Sequence, residues 1–211
     1  MDEAPLETPK WPWFEPSCAI LMAVASVATA WCSYQSSCWS GESGGLEAHA
    51  DKLQRQAIAQ HHEARQIEAI QMRLVMEVID ARMEGNEKLA SYYADRFTDE
   101  LKPAYEKWIA LNPLEDRTAP PHPFVPGFYT PRFEQEIRDA QAGAVKAEAE
   151  AGVAGHVASS YLGNTVSLAT VILFAATAEK FNQPRVRGWS LAFAICLFLF
   201  AAVRTALLPI I

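Results

Sequence analysis

The chain has 211 residues, half of them apolar and a fifth charged, with a formal net charge of −7. That charged share is below the quarter usual in soluble domains, and the acidic balance argues against nucleic acid as a partner, because phosphate backbones call for Lys and Arg. The charge is also local: residues 42–150 hold 20 Asp and Glu against 13 Lys and Arg, and the flanks hold five of each.

A leader, residues 1–16, precedes a first apolar segment at 17–39. At about 1.5 Å per residue such a segment spans a hydrocarbon slab of ~30 Å. The run "ATA" at 28–30 resembles a signal-peptidase site, but the leader MDEAPLETPKWPWFEP carries four acidic residues and one lysine, where a signal peptide wants a basic start. A signal anchor is the better reading. Within this span the stretch SYQSS, from Ser33, is polar before Trp39 and the glycines beyond it.

Residues 40–156 read as an extramembrane helical domain. Leu46, Leu53, Ile67 and Leu74 fall on sevenfold spacing, and Ile70, Val75, Val78 and Ile79 widen the apolar stripe. Helices are predicted near 46–84 and 87–111, with a stop and restart at Glu84–Asn86. A second hinge is expected in SGESGG, because 46–111 laid straight would reach ~100 Å. The loop 112–131 holds six of the thirteen prolines and cannot be helical. Its aromatics Phe124, Phe128 and Tyr129 either clamp the tip of a helical bundle or dock a partner. Thr130 and Pro131 then read as the start of a helix that runs unbroken into the second span.

That span covers 157–178, and a basic loop, 179–187, leads to the third at 188–208. Gly143, Ala147, Ala151, Gly155, Ser159, Gly163 and Ser167 stand at every fourth position, a face of small residues of the kind that lets helices approach closely in membranes. Lys180, Arg185 and Arg187 in the short loop predict a cytoplasmic position for it, hence a cytoplasmic N-terminus and a periplasmic helical domain.

Counting depth along the spans at ~1.5 Å per residue brings Gln35, Asn164 and Arg204 to one level near the outer boundary. Ser33, Tyr34, Ser160 and Tyr161 fall there too, and an intramembrane polar cluster is expected. It would act as a polar pocket or as helix glue, with Arg204 snorkelling to the headgroups.

Most catalytic signatures are missing from the sequence: there is no phosphate-binding glycine loop, no H-E-x-x-H and no C-x-x-C, and GESGG at 41–45 matches G-x-S-x-G in letters only, with no strand predicted before it. His61 and His62 are adjacent, about 100° apart around a helix, and His49, His122 and His156 stand singly, so no metal site is expected. Cys32 and Cys38 are six residues apart and cannot bridge within one helix. No enzyme activity and no cofactor are expected.

The run VATAWCSYQSSCWSGE, through Trp31, Tyr34, Gln35 and Trp39, resembles uncharacterised bacterial membrane proteins in which an alanine-rich first span ends in a Trp-x-x-Tyr-Gln run. The resemblance implies a location and a layout, and no activity. The expected fold is all-α: three transmembrane helices plus an extramembrane helical hairpin or bundle between spans one and two. The expected role is a multi-pass scaffold or accessory subunit of the bacterial inner membrane, partnered by the lipid bilayer and by further copies of itself or a membrane protein. A homo-oligomeric ion channel or pore lined by the second span through Ser160, Asn164, Ser167 and Thr170 is the alternative.

Overall fold

The computed structural model describes residues 13–181 and 183–211. Of the leader 1–16, residues 1–12 lie outside the described residues, as does Asn182 in the basic loop. The described chain is all-helical, in the order α1 (Phe14–Met83), α2 (Glu87–Ala94), α3 (Leu101–Ile109), α4 (Glu134–Lys180) and α5 (Pro184–Leu207). Three of these, α1, α4 and α5, are long and apolar enough to cross a membrane. The chain divides into two compact units, one of Met1–Ala48 with Ala147–Ile211 and the other of His49–Lys146.

In the first unit, α1, α4 and α5 share a core of Ala25, Cys32, Tyr161, Leu168, Val171, Ala194 and Ala201. Cys18, Ala25 and Cys32 are fully buried and recur every seven residues, the period at which a helix keeps one face toward a neighbour. Two serines of α1 fix how α4 lies against it. Ser36 Oγ donates to the carbonyl of Ala158 at 3.0 Å and Ser43 Oγ to that of Ala151 at 2.9 Å. Seven residues forward on α1 thus correspond to seven back on α4, so the two run antiparallel. Alanine makes the close approach possible, since Ala147, Ala151, Ala154 and Ala158 are all buried on α4.

The second unit is built on an aromatic core. Val75, Val78 and Ala81 of α1, Ala90 of α2, Leu101, Ala104, Tyr105 and Trp108 of α3, and Phe97 and Tyr129 from the connections pack together. The rings of Phe97 and Tyr105 meet edge to face at 4.9 Å, as do those of Phe124 and Tyr129. Trp108 is fully buried and its Nε1 donates to the carbonyl of Pro120 at 2.6 Å, tying the proline-rich loop to α3. Burying a side chain of this size contributes roughly 3 kcal/mol.

Helix boundaries follow local chemistry, with three departures from the sequence reading. The stop at 84–86 forms as expected: Gly85 takes φ +74°, Asn86 N–H reaches back to Ala81 O at 2.8 Å, and Asn86 Oδ1 accepts Leu89 N–H at 3.1 Å to begin α2. The expected hinge in SGESGG does not form, and α1 continues through it. Ser43 is anchored on α4 there, and packing of this kind outweighs the poor helix propensity of Gly41, Gly44 and Gly45. The expected helix 87–111 is broken between Ala94 and Leu101. Pro103 has no N–H to continue a helix from upstream but is tolerated in the first turn of α3, while Gln71 Oε1 accepts Thr98 N–H at 3.1 Å. Finally, α4 starts at Glu134 rather than Pro131, because Phe133 stands at φ +62° and turns the chain before it.

Candidate functional site

The polar residues of the first unit gather where α1, α4 and the segment after α5 meet. Gln35 on α1 and Tyr161 and Asn164 on α4 are fully buried. On α1, Cys32, Gln35 and Trp39 are spaced three and four apart, and on α4 so are Tyr161, Asn164 and Leu168. Each set therefore lies on one helical face.

Their partners are mostly backbone. Gln35 forms a two-way clasp with Ile211, its Nε2 donating to the carbonyl at 3.1 Å and its Oε1 accepting the N–H at 3.2 Å. Trp39 Nε1 and Tyr161 Oη both donate to the carbonyl of Pro209, at 3.1 and 3.2 Å. The chain can turn back in this way because Leu208 precedes a proline and adopts an extended ψ of 144°, which ends α5.

A second set of bonds centres on Thr205. Its hydroxyl donates to Ala201 O at 2.9 Å and accepts from Asn164 Nδ2 at 3.0 Å, with Cys32 Sγ 3.5 Å away. Asn164 Oδ1 is buried without a hydrogen-bond partner. Inside a bilayer, interhelical bonds of this type contribute about 0.6 to 2 kcal/mol each. The arrangement ties three helices together.

Of the polar cluster expected from sequence, Gln35, Tyr161 and Asn164 come together. Ser160 is half-buried, and Ser33 and Tyr34 are exposed, Tyr34 lying 6.1 Å from the Trp31 ring. Arg204 is exposed, with its guanidinium 5.9 Å from the Phe200 ring centroid. Depth counting places residues along the axis but not around it: Arg204 stands outside the cluster, the position that snorkelling to the headgroups calls for, and its neighbour Thr205 takes the inward position. Thr205, Cys32 and Trp39 were legible as residues at the right heights. The carbonyls of Pro209 and Ile211 left no side-chain signal.

The small face divides similarly. A step of four turns a helix by 400°, so such a row drifts about 40° per step. Ala147 and Ala151 are buried, Gly143, Gly155 and Ser167 are half-buried, and Ser159 and Gly163 are exposed. The packed face alternates steps of four and three instead, through Ala140, Ala144, Ala147, Ala151, Ala154 and Ala158. Two glycines of the expected row do meet α1: a Cβ on Gly143 would lie 3.1 Å from Leu53 Cδ1, and one on Gly155 would lie 3.3 Å from Ser43 Oγ.

In the second unit, Phe124, Phe128 and Tyr129 pack against the aromatic core. A cleft of about 660 Å³ lies beside them, lined in part by His61, Arg65, Glu68, Glu134 and Arg138. Its charges answer one another, through Arg65–Glu68 at 3.3 Å and the Arg138–Glu134 pair. Among the described residues no group of three His, Cys, Asp or Glu side chains is placed to hold a metal ion. No protein-family model matches this chain, nor does any curated protein or solved structure.

Proposed function

We propose that this protein is a multi-pass integral protein of the bacterial inner membrane that acts as a scaffold or accessory subunit, associating with copies of itself or with another membrane protein, and has no catalytic activity. The apolar surface of α5 supports the membrane placement: Phe193, Leu199, Phe200 and Val203 are each at least half exposed, a surface that lipid or protein would cover.

The observation that carries the scaffold reading over a pore is where the polar groups of the second span spend their hydrogen bonds. Asn164 bonds to Thr205, Ser167 Oγ donates to Gly163 O at 3.1 Å, and Thr170 Oγ1 donates to Val166 O at 3.0 Å. Only the Asn164 amide crosses to another helix, while the Ser167 and Thr170 hydroxyls close back on carbonyls of α4 itself; an aqueous path needs such groups turned toward a lumen.

Native mass measurement of the full chain in nanodiscs, with ion flux across liposomes, tests this. A dimer or a complex with one other membrane protein, without flux, is expected. A ring of several copies that conducts would establish the channel alternative, and a lone monomer without a partner would remove the scaffold reading.

A further inference from the structure

The end of the first unit that carries the α4–α5 connection concentrates positive charge beside an apolar groove. Lys180 closes α4, and Arg185 and Arg187 lie in the first turn of α5. Cations are ill placed at a helix N-terminus, which is itself the positive end of the backbone dipole. Gln183, at the N-cap, makes no side-chain hydrogen bond to the first turn, whose N–H groups thus lack that acceptor. The guanidinium of Arg187 is held 4.2 Å over the buried Phe14 ring, and its Nε is shielded from solvent without a partner. Two carboxylates, Glu15 and Glu179, belong to the same helix ends, and the three cations outnumber them. An anion would relieve the repulsion and pair the guanidiniums.

The chemistry of that anion follows from what lies below it. Ser17 stands one turn past Phe14 on α1, and Leu191 one turn past Arg187 on α5. These two residues open a groove of about 330 Å³ between the helices, continued by Ile20, Leu21, Val24 and Ile195 to Phe198. Phe198 also lines the next groove along, with Ala28, Ala202 and Ala206, about 290 Å³ in volume. From Leu191 to Ala206 the two extend over roughly 22 Å at 1.5 Å per residue, most of the ~30 Å hydrocarbon thickness. Trp13 and Trp189, both almost fully exposed, mark the headgroup level at this end, where indole rings settle.

We infer that an anionic phospholipid binds here, its phosphate against Arg187 within the positive field that Lys180 and Arg185 add to, and one acyl chain along the groove between α1 and α5. The inference rests on the membrane reading above. It adds that one lipid class is selected at one place, by a guanidinium one turn from an apolar channel and the positive charge around it.

The test uses the full chain, first checked for resistance to alkaline carbonate extraction from membranes. Native mass spectrometry then follows detergent-solubilised protein titrated with equimolar dioleoylphosphatidylglycerol and dioleoylphosphatidylcholine. Retention of the glycerol lipid over the choline lipid by about tenfold is expected, because both carry a phosphate but the choline ammonium cancels its charge. Arg185→Ala with Arg187→Ala should abolish the preference, and Ile195→Trp, which fills the groove without touching a charge, should lower retention of both lipids. Arg204→Ala, on the last turn of α5, should change nothing. Equal retention of the two lipids would overturn the proposal, as would an unchanged preference in the double-arginine variant or unchanged retention of both lipids in the Ile195 variant. So would inorganic phosphate binding as tightly as the glycerol lipid, or a second copy of the chain occupying the groove in place of lipid. Release by carbonate would instead defeat the membrane reading itself.

Discussion

Tyr105 illustrates how a buried group contributes to the response of the second unit to pH. Its ring packs between Phe97 and Trp108, while its hydroxyl is buried with no hydrogen-bond partner. Burial pushes the phenol above its ordinary range, the nearby Arg82 pulling it down and Glu87 pushing it up. A folded-state pKa above the unfolded one means the neutral phenol's contribution is complete below about pH 10 and is lost as pH rises through the folded value. Tyr105→Phe is therefore expected to stabilise by about 1 kcal/mol, since it removes an unpaired buried hydroxyl. The variant should also blunt alkaline unfolding, which circular dichroism melts at pH 8 and pH 11 would read. Gln35 is the opposite case, satisfied on both sides by Ile211. Gln35→Leu should cost about 1–2 kcal/mol and loosen the chain at Ile211, Pro209 staying held by Trp39 and Tyr161. Faster quenching by nitroxide lipid of a fluorophore placed at position 210 would report that loosening, and an unchanged rate would show that the clasp is dispensable.

Among the elements, the pairing of α1 with α4 depends on alanine where most helix pairs use leucine. Ala151 is 2% exposed and its carbonyl receives Ser43. Ala151→Leu should force the helices apart at a cost of about 1–3 kcal/mol, seen as a lower melting temperature with helical content retained. Gly41, Gly44 and Gly45 have open space where a Cβ would go, and α1 runs straight through them. Replacing all three with Ala should stabilise the helix by about 0.5–1 kcal/mol each; a loss of stability would show that the stretch bends in use. These glycines explain why the hinge was misread. Local propensity favours a break there, and the Ser43 contact that prevents it comes from α4, more than a hundred residues away. The opposite error at 95–100 has the same origin, since Gln71 reaches across from α1 to hold Thr98. By contrast, the stop at Gly85–Asn86 was legible because every bond that makes it lies within five residues.

For the molecule as a whole, the charge in the 179–187 loop predicts its side of the membrane. A cysteine introduced at Gln183 should resist an impermeant maleimide added outside intact cells and react once they are opened, whereas one at Glu115 in the proline-rich loop should react in both. Reversal of the two results would invert the topology. Three apolar lengths, the acidic middle and the run of prolines were enough to establish an all-helical chain with three candidate spans, because hydropathy and helix-breaking are summed along the chain and need no tertiary partner. Sequence also brought Gln35, Tyr161 and Asn164 to a common height. Only the tertiary structure decided which of the residues at that height face inward, replacing Arg204 with Thr205 and supplying the carbonyls of Pro209 and Ile211. The rise of a helix is constant, but its rotation is set by the side chains it meets, and a backbone carbonyl becomes a partner only once the chain has folded back to present it.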